Sequence, residues 1–107
     1  MITWEDLVPV LSQHVQMGSV TTYAQVSMWG YGVPNLHRPV GSLLKGARNH
    51  GHEVLTNRVV PVDGRLVDLP AGREQQRNQL EAEGIPFNRA GNVDFGQIDP
   101  VQLPRHE

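Results

Sequence analysis

Two early segments with apolar residues at helical spacing, a short capped segment between them that ends in a glycine-containing turn, and short valine-rich runs flanking an Asp-Gly pair together predict the fold class. That class is mainly α with a small β-wing, a winged helix-turn-helix-like single domain. Thr3 followed by Asp6 reads as an N-cap with an acidic partner. Trp4, Leu7, Val8, Leu11 and Val15 then recur at helical spacing, giving a first helix over 4–15 that Met17-Gly18-Ser19 breaks. Thr22 caps a short second helix over 23–29, with Gln25 in the capping-box position, and Gly30-Tyr31-Gly32-Val33-Pro34 ends it. Val40, Leu43 and Leu44 share one face of a third helix that stops near Gly46. Pro39 fits its first turn, because an interior proline removes a backbone hydrogen bond, and Arg38 then stands at or just before the helix start.

Beyond this helix pair, Glu53-Val54-Leu55 and Arg58-Val59-Val60 read as extended. Val62-Asp63-Gly64-Arg65 supplies a turn and Leu66-Val67 a returning strand, which makes the expected wing. A polar helix from Arg73 to Glu83 is stopped by Gly84 and Pro86. The expected domain is therefore 1–86, with 87–107 a C-terminal extension that packs as irregular chain and whose last few residues are loose.

Composition narrows the function classes. The chain has 107 residues, a net charge of −2 and no cysteine, which excludes disulfides, cysteine-ligated zinc and any thiolate nucleophile. No run approaches the roughly 18 apolar residues of a membrane span, so no membrane partner is expected. The acidic Met-Ile-Thr-Trp-Glu-Asp start lacks a signal peptide's basic segment, so the expected location is cytoplasmic. The mild acidity argues against nucleic acid, yet the charge is uneven: residues 31–60 carry Arg38, Lys45, Arg48 and Arg58 against Glu53 alone. A basic middle between acidic ends can focus phosphates on one face, although a small cationic excess is more often a solvated surface.

Five motifs stand in order. They are Gly18-Ser19-Val20-Thr21-Thr22-Tyr23-Ala24-Gln25-Val26, Arg38-Pro39-Val40-Gly41-Ser42-Leu43, Leu55-Thr56-Asn57-Arg58-Val59-Val60, Asp63-Gly64-Arg65-Leu66 and Gln79-Leu80-Glu81-Ala82-Glu83-Gly84-Ile85. Over about residues 4–86 their sequence and spacing resemble the DNA-binding domain of the O6-alkylguanine-DNA alkyltransferase family. The second motif is close to the family's Arg-Ala-Val-Gly-x-Ala. The third falls where the family has Pro-Cys-His-Arg-Val-(Val/Ile). Thr56 thus takes the place of the reactive cysteine and Asn57 that of the histidine that helps to activate it. A threonine hydroxyl without a base is no substitute for a thiolate, so the resemblance is to the alkyltransferase-like branch, which lacks that cysteine and is not an enzyme. That branch usually has tryptophan where this chain has Thr56.

The resemblance implies a partner, double-stranded DNA containing O6-alkylguanine, bound by nucleotide flipping and marked for nucleotide excision repair, whose proteins are then further partners. Tyr23 matches the tyrosine that crowds the phosphate beside the lesion, and Arg38 the finger that enters from the minor groove and fills the vacated stack, a role that suits a planar guanidinium. Tyr23, Thr56, Asn57 and Val59 correspond to the lesion pocket. Arg58 is expected to buttress the loop by pairing with a carboxylate. Thr22, Ser42, Lys45 and Arg48 join Arg38 as candidate DNA contacts, of the kind that position a duplex without reading its sequence. The bland readings are a core tyrosine at 23 and an exposed surface arginine at 38.

No cofactor is expected. His50 and His52 lack a third ligand, so a loop is the better reading than a metal site. Trp4 and Trp29 are expected in the core, and the chain is expected to be a monomer. Two other classes remain open: a helix-turn-helix DNA-binding module without lesion specificity, and a protein-interaction module that has lost DNA binding.

Overall fold

The computed structural model describes residues 1–67 and 70–106. In chain order its elements are α1 (Trp4–His14), β1 (Thr21–Thr22), α2 (Tyr23–Tyr31), α3 (His37–Asn49), α4 (Glu53–Thr56), β2 (Val59–Val60) and α5 (Pro70–Ala82). The class is the expected one, mainly helical with a small sheet.

α1 begins where Thr3 places it: the Asp6 carboxylate accepts the Thr3 backbone N–H at 2.9 Å, satisfying a donor at the helix entry. Leu7 and Leu11 on its inner face join Val15, Val26 and Trp29 against Val40, Leu43 and Leu44 of α3, forming the first of two hydrophobic clusters. Trp29 is in this core, whereas Trp4 is only half-buried. The Trp4 ring lies against α3 at Gly46, where a Cβ would stand 2.7 Å from it, and stacks on His50 with centroids 4.4 Å apart.

The α2–α3 turn has a specific clasp. Gly32 ends α2 at φ 75°, a conformation that favours glycine. Buried Ser27 donates to the Val33 carbonyl and accepts the Leu36 N–H at 3.0 Å. This fixes where α3 starts. Pro39 is the third residue of α3, inside the first turn as expected, and the helix continues past Gly46 to Asn49 because Gly46 is packed rather than terminal.

The expected wing takes another form. Glu53-Val54-Leu55 is a helical turn, not extended chain, and no strand forms at Leu66–Val67. Instead Val59–Val60 pair in parallel with Thr21–Thr22, Thr21 opposite Val59 and Thr22 opposite Val60. The Asp63-Gly64 turn does form, with the Gly64 N–H on the Pro61 carbonyl. Its glycine at φ 79° sits so close to the C-terminal segment that a Cβ would lie 2.4 Å from the Val93 carbonyl oxygen. The chain after the turn docks on residues 85–98 rather than returning along β2. There Val20, Val60, Leu66, Leu80, Ile85 and Val93 make the second cluster, which the C-terminal extension joins through Val93. The expected loose end is also pinned, through Val101 N–H to Val20 O at 2.8 Å and His106 N–H to Trp29 O at 2.8 Å.

Candidate nucleic-acid interface and base pocket

α3 has two unlike faces. Val40, Leu43, Leu44 and Ala47 are buried against α1 and α2. Arg38, Ser42 and Lys45 are exposed on the other side at helical spacing, with half-buried Arg48 one turn further on. Gly41 lies in the same stripe, and a Cβ there would meet nothing within 4 Å. A helix-interior glycine costs roughly 0.5–1 kcal/mol relative to alanine. Gly46 has a packing reason for that cost and Gly41 has none within the fold. What Gly41 does provide is a low point on a cationic helix face, where another molecule can approach the backbone closely.

Thr22, by contrast, is only 4% exposed, and its hydroxyl oxygen accepts the Gln25 N–H at 3.2 Å. Its side chain is buried and caps α2. That cap sets the position of Tyr23, the first residue of α2.

Tyr23 and Val59, two of the candidate lesion-pocket residues, line a cavity of about 290 Å³ together with Leu66, Val67 and Gln76. Pro61 and Arg65 complete the wall. Thr56 and Asn57 are not part of this lining. Thr56 is 1% exposed, and its hydroxyl donates to the Glu53 carbonyl within its own helical turn at 3.1 Å. The Asn57 amide donates to Gln79 Oε1 at 2.9 Å, and Asn57 instead borders an adjoining cleft of about 150 Å³ shared with Arg48 and Val67.

Arg58 pairs with a carboxylate, as the sequence led one to expect. Its Nε and Nη2 donate to the two Glu83 oxygens at 2.9 and 2.7 Å, and Nη1 donates to the Val15 carbonyl at 3.3 Å. Both side chains are below 10% exposed. This fork joins the third motif to the end of α5 and to the end of α1.

Gln76 is the pocket residue that sequence reasoning missed. It is 2% exposed inside a helix read as polar. Its Nε2 donates to the Asn57 carbonyl at 3.0 Å and its Oε1 accepts the Val67 N–H at 3.0 Å, so one amide fixes two walls. Its only signal in the sequence was the i, i+4 spacing to Leu80.

Among known proteins, the chain is 32% identical over 73 residues to alkyltransferase-like protein 1 of Schizosaccharomyces pombe, an alignment covering 66% of each chain. The fold matches the crystal structure of S. pombe Atl1 in complex with damaged DNA containing O6-carboxymethylguanine. That match has a TM-score of 0.64 and 26% identity, over 91% of this chain and 95% of the other. No family model matches the chain.

Proposed function

The chain belongs to the alkyltransferase-like proteins, and from that membership we propose that it binds duplex DNA carrying O6-alkylguanine without transferring the alkyl group. The α3 stripe supplies the duplex contacts: Lys45, Arg48 and Ser42 meet phosphates, and Gly41 admits the backbone. Arg38, at the exposed start of the helix, enters the stack as the lesion nucleotide leaves it. The cavity beside Tyr23 receives the extruded base, and Tyr23 pushes the neighbouring phosphate. The role downstream of binding is to mark the lesion for nucleotide excision repair.

The observation that carries this reading is the exposed cationic stripe of α3 with an otherwise unexplained glycine at its centre. The absence of transfer follows from chemistry. With no cysteine in the chain and a buried, internally bonded Thr56 at the matching position, no group is available to attack the alkyl carbon.

Equilibrium anisotropy with matched duplexes tests it. Tighter binding to O6-methylguanine than to guanine is the expected result. Equal affinity for both makes the protein a general DNA-binding module, and binding to neither makes it a protein-interaction domain.

A further inference from the structure

Beside the base cavity lies a second hollow of about 240 Å³, and three arginines surround it: Arg65 from the segment after β2, and Arg73 and Arg77 one turn apart on α5. The 90–92 loop closes the far side. We propose that this hollow is an oxyanion-binding annex to the base pocket, taking a carboxylate or phosphodiester oxygen of the bound nucleic acid. The proposal rests on the lesion-binding reading above and specifies a subsite for it.

Four observations carry it. First, the two hollows adjoin, since Arg65 and Leu66 line both, so the Arg65 guanidinium borders a nucleotide bound in one and an oxyanion held in the other. Second, Arg73 and Arg77 are like charges at i, i+4 on one helix, which repel, and Arg65 brings a third guanidinium to the same hollow. Third, each guanidinium is held by its Nε edge. Arg65 Nε pairs with Asp63 at 2.8 Å, Arg73 Nε donates to the Val67 carbonyl at 3.0 Å, and Arg77 Nε donates to Glu81 at 2.8 Å while its plane lies over Phe87. Asp63 and Glu81 are half-exposed and outside the lining, which contains no carboxylate among the described residues. Fourth, the far wall is preformed. Asn88 Oδ1 accepts the N–H groups of Ala90 and Asn92 at 3.0 and 3.1 Å, and Gly91 between them takes φ 83°, a conformation that favours glycine. The Arg65 and Arg77 forks, pre-oriented in this way, suit the paired oxygens of a carboxylate or phosphate.

The oxyanion has two sources, the acidic substituent of a lesion such as O6-carboxymethylguanine or a backbone phosphate next to the extruded nucleotide. Anisotropy titrations over a range of salt, with guanine, O6-methylguanine and O6-carboxymethylguanine duplexes, separate them. The proteins are the parent, Arg65→Gln, Arg77→Gln and, as a control outside the lining, Arg89→Gln. If the adduct is the source, the parent prefers the carboxymethyl to the methyl lesion, each annex variant loses that margin, roughly tenfold, and Arg77→Gln, which lies outside the base-cavity wall, keeps its affinity for the methyl lesion. If a phosphate is the source, each annex variant weakens both lesions and lowers the salt slope by about 1. Arg89→Gln does neither. Annex variants that keep the parent's Tm and bind all three duplexes as the parent does overturn the annex and leave the lesion-binding reading intact. A parent without lesion preference overturns that reading, and the annex with it.

Discussion

The exposed face of α3 and the turn at 56–58 hold the two most recognisable motifs of the chain, and they spend their polar side chains in opposite ways. At 56–58 the side-chain hydrogen bonds run inward: Thr56 to its own helical turn, Asn57 to α5, Arg58 to Glu83 and Val15. On α3, Arg38, Ser42 and Lys45 make no hydrogen bond or ion pair with the described residues and lie in solvent. Where a catalytic motif loses its nucleophile, the surrounding residues can become framework. A binding face keeps charges that the fold does not use. On the proposed reading, the contrast also explains how recognition can survive without transfer chemistry, since the groups proposed to touch DNA are not those at the positions matched to the catalytic pair.

The largest expected effect lies on the framework side. Arg58→Met leaves the buried Glu83 carboxylate without its partner and should cost about 3 kcal/mol or more in denaturant unfolding. Adding Glu83→Leu should recover much of that loss. If Arg58→Met alone is as stable as the parent, the fork is not structural and the contrast fails.

On the α3 side the same measurement should hardly move while binding does. Arg38→Ala should keep the parent's Tm and retain part of its affinity for ordinary duplex, yet lose most of the lesion preference, because the finger acts only when a base leaves the stack. A 2-aminopurine beside the lesion reports that unstacking directly. Undiminished fluorescence gain and preference in Arg38→Ala would make residue 38 a plain surface charge.

Lys45→Ala and Arg48→Ala should weaken lesion and undamaged duplexes alike, each lowering the salt slope by about 1. Slopes equal to the parent's move the duplex off this face.

Gly41→Ala gives the smallest but sharpest effect, since its two consequences differ in sign. Stability should rise by about 0.4–1 kcal/mol, as no atom opposes a Cβ there, while duplex affinity falls if the backbone is approached closely. Affinity that holds or rises with stability removes the close approach.

Much of this was legible in the chain. Helical spacing located α1 to α3, Thr3 and Thr22 marked helix starts, and Arg58 announced a carboxylate partner. The sheet was not legible, because strands of two residues are too short to show alternation and a parallel pairing of Thr21–Thr22 with Val59–Val60 depends on contacts distant in sequence. Leu66–Val67 read as a strand from composition, but Gly64 packing on Val93 decides its path. Gln76 and the arginine hollow were hidden for a related reason. A polar residue shows no burial signal, and three arginines on separate turns become neighbours only in the folded chain.

Central to the account is recognition uncoupled from transfer, and a single incubation tests both halves. Parent protein and a Thr56→Cys/Asn57→His variant are each mixed with excess O6-methylguanine duplex, the complexes are isolated, and the intact protein mass and the lesion content of the DNA are read together. The account predicts that the parent recovers the lesion duplex in preference to guanine with both masses unchanged. It predicts no transfer by the variant either, because residue 56 is buried outside the cavity lining. A parent protein heavier by one methyl group, with guanine restored in the DNA, would contradict it.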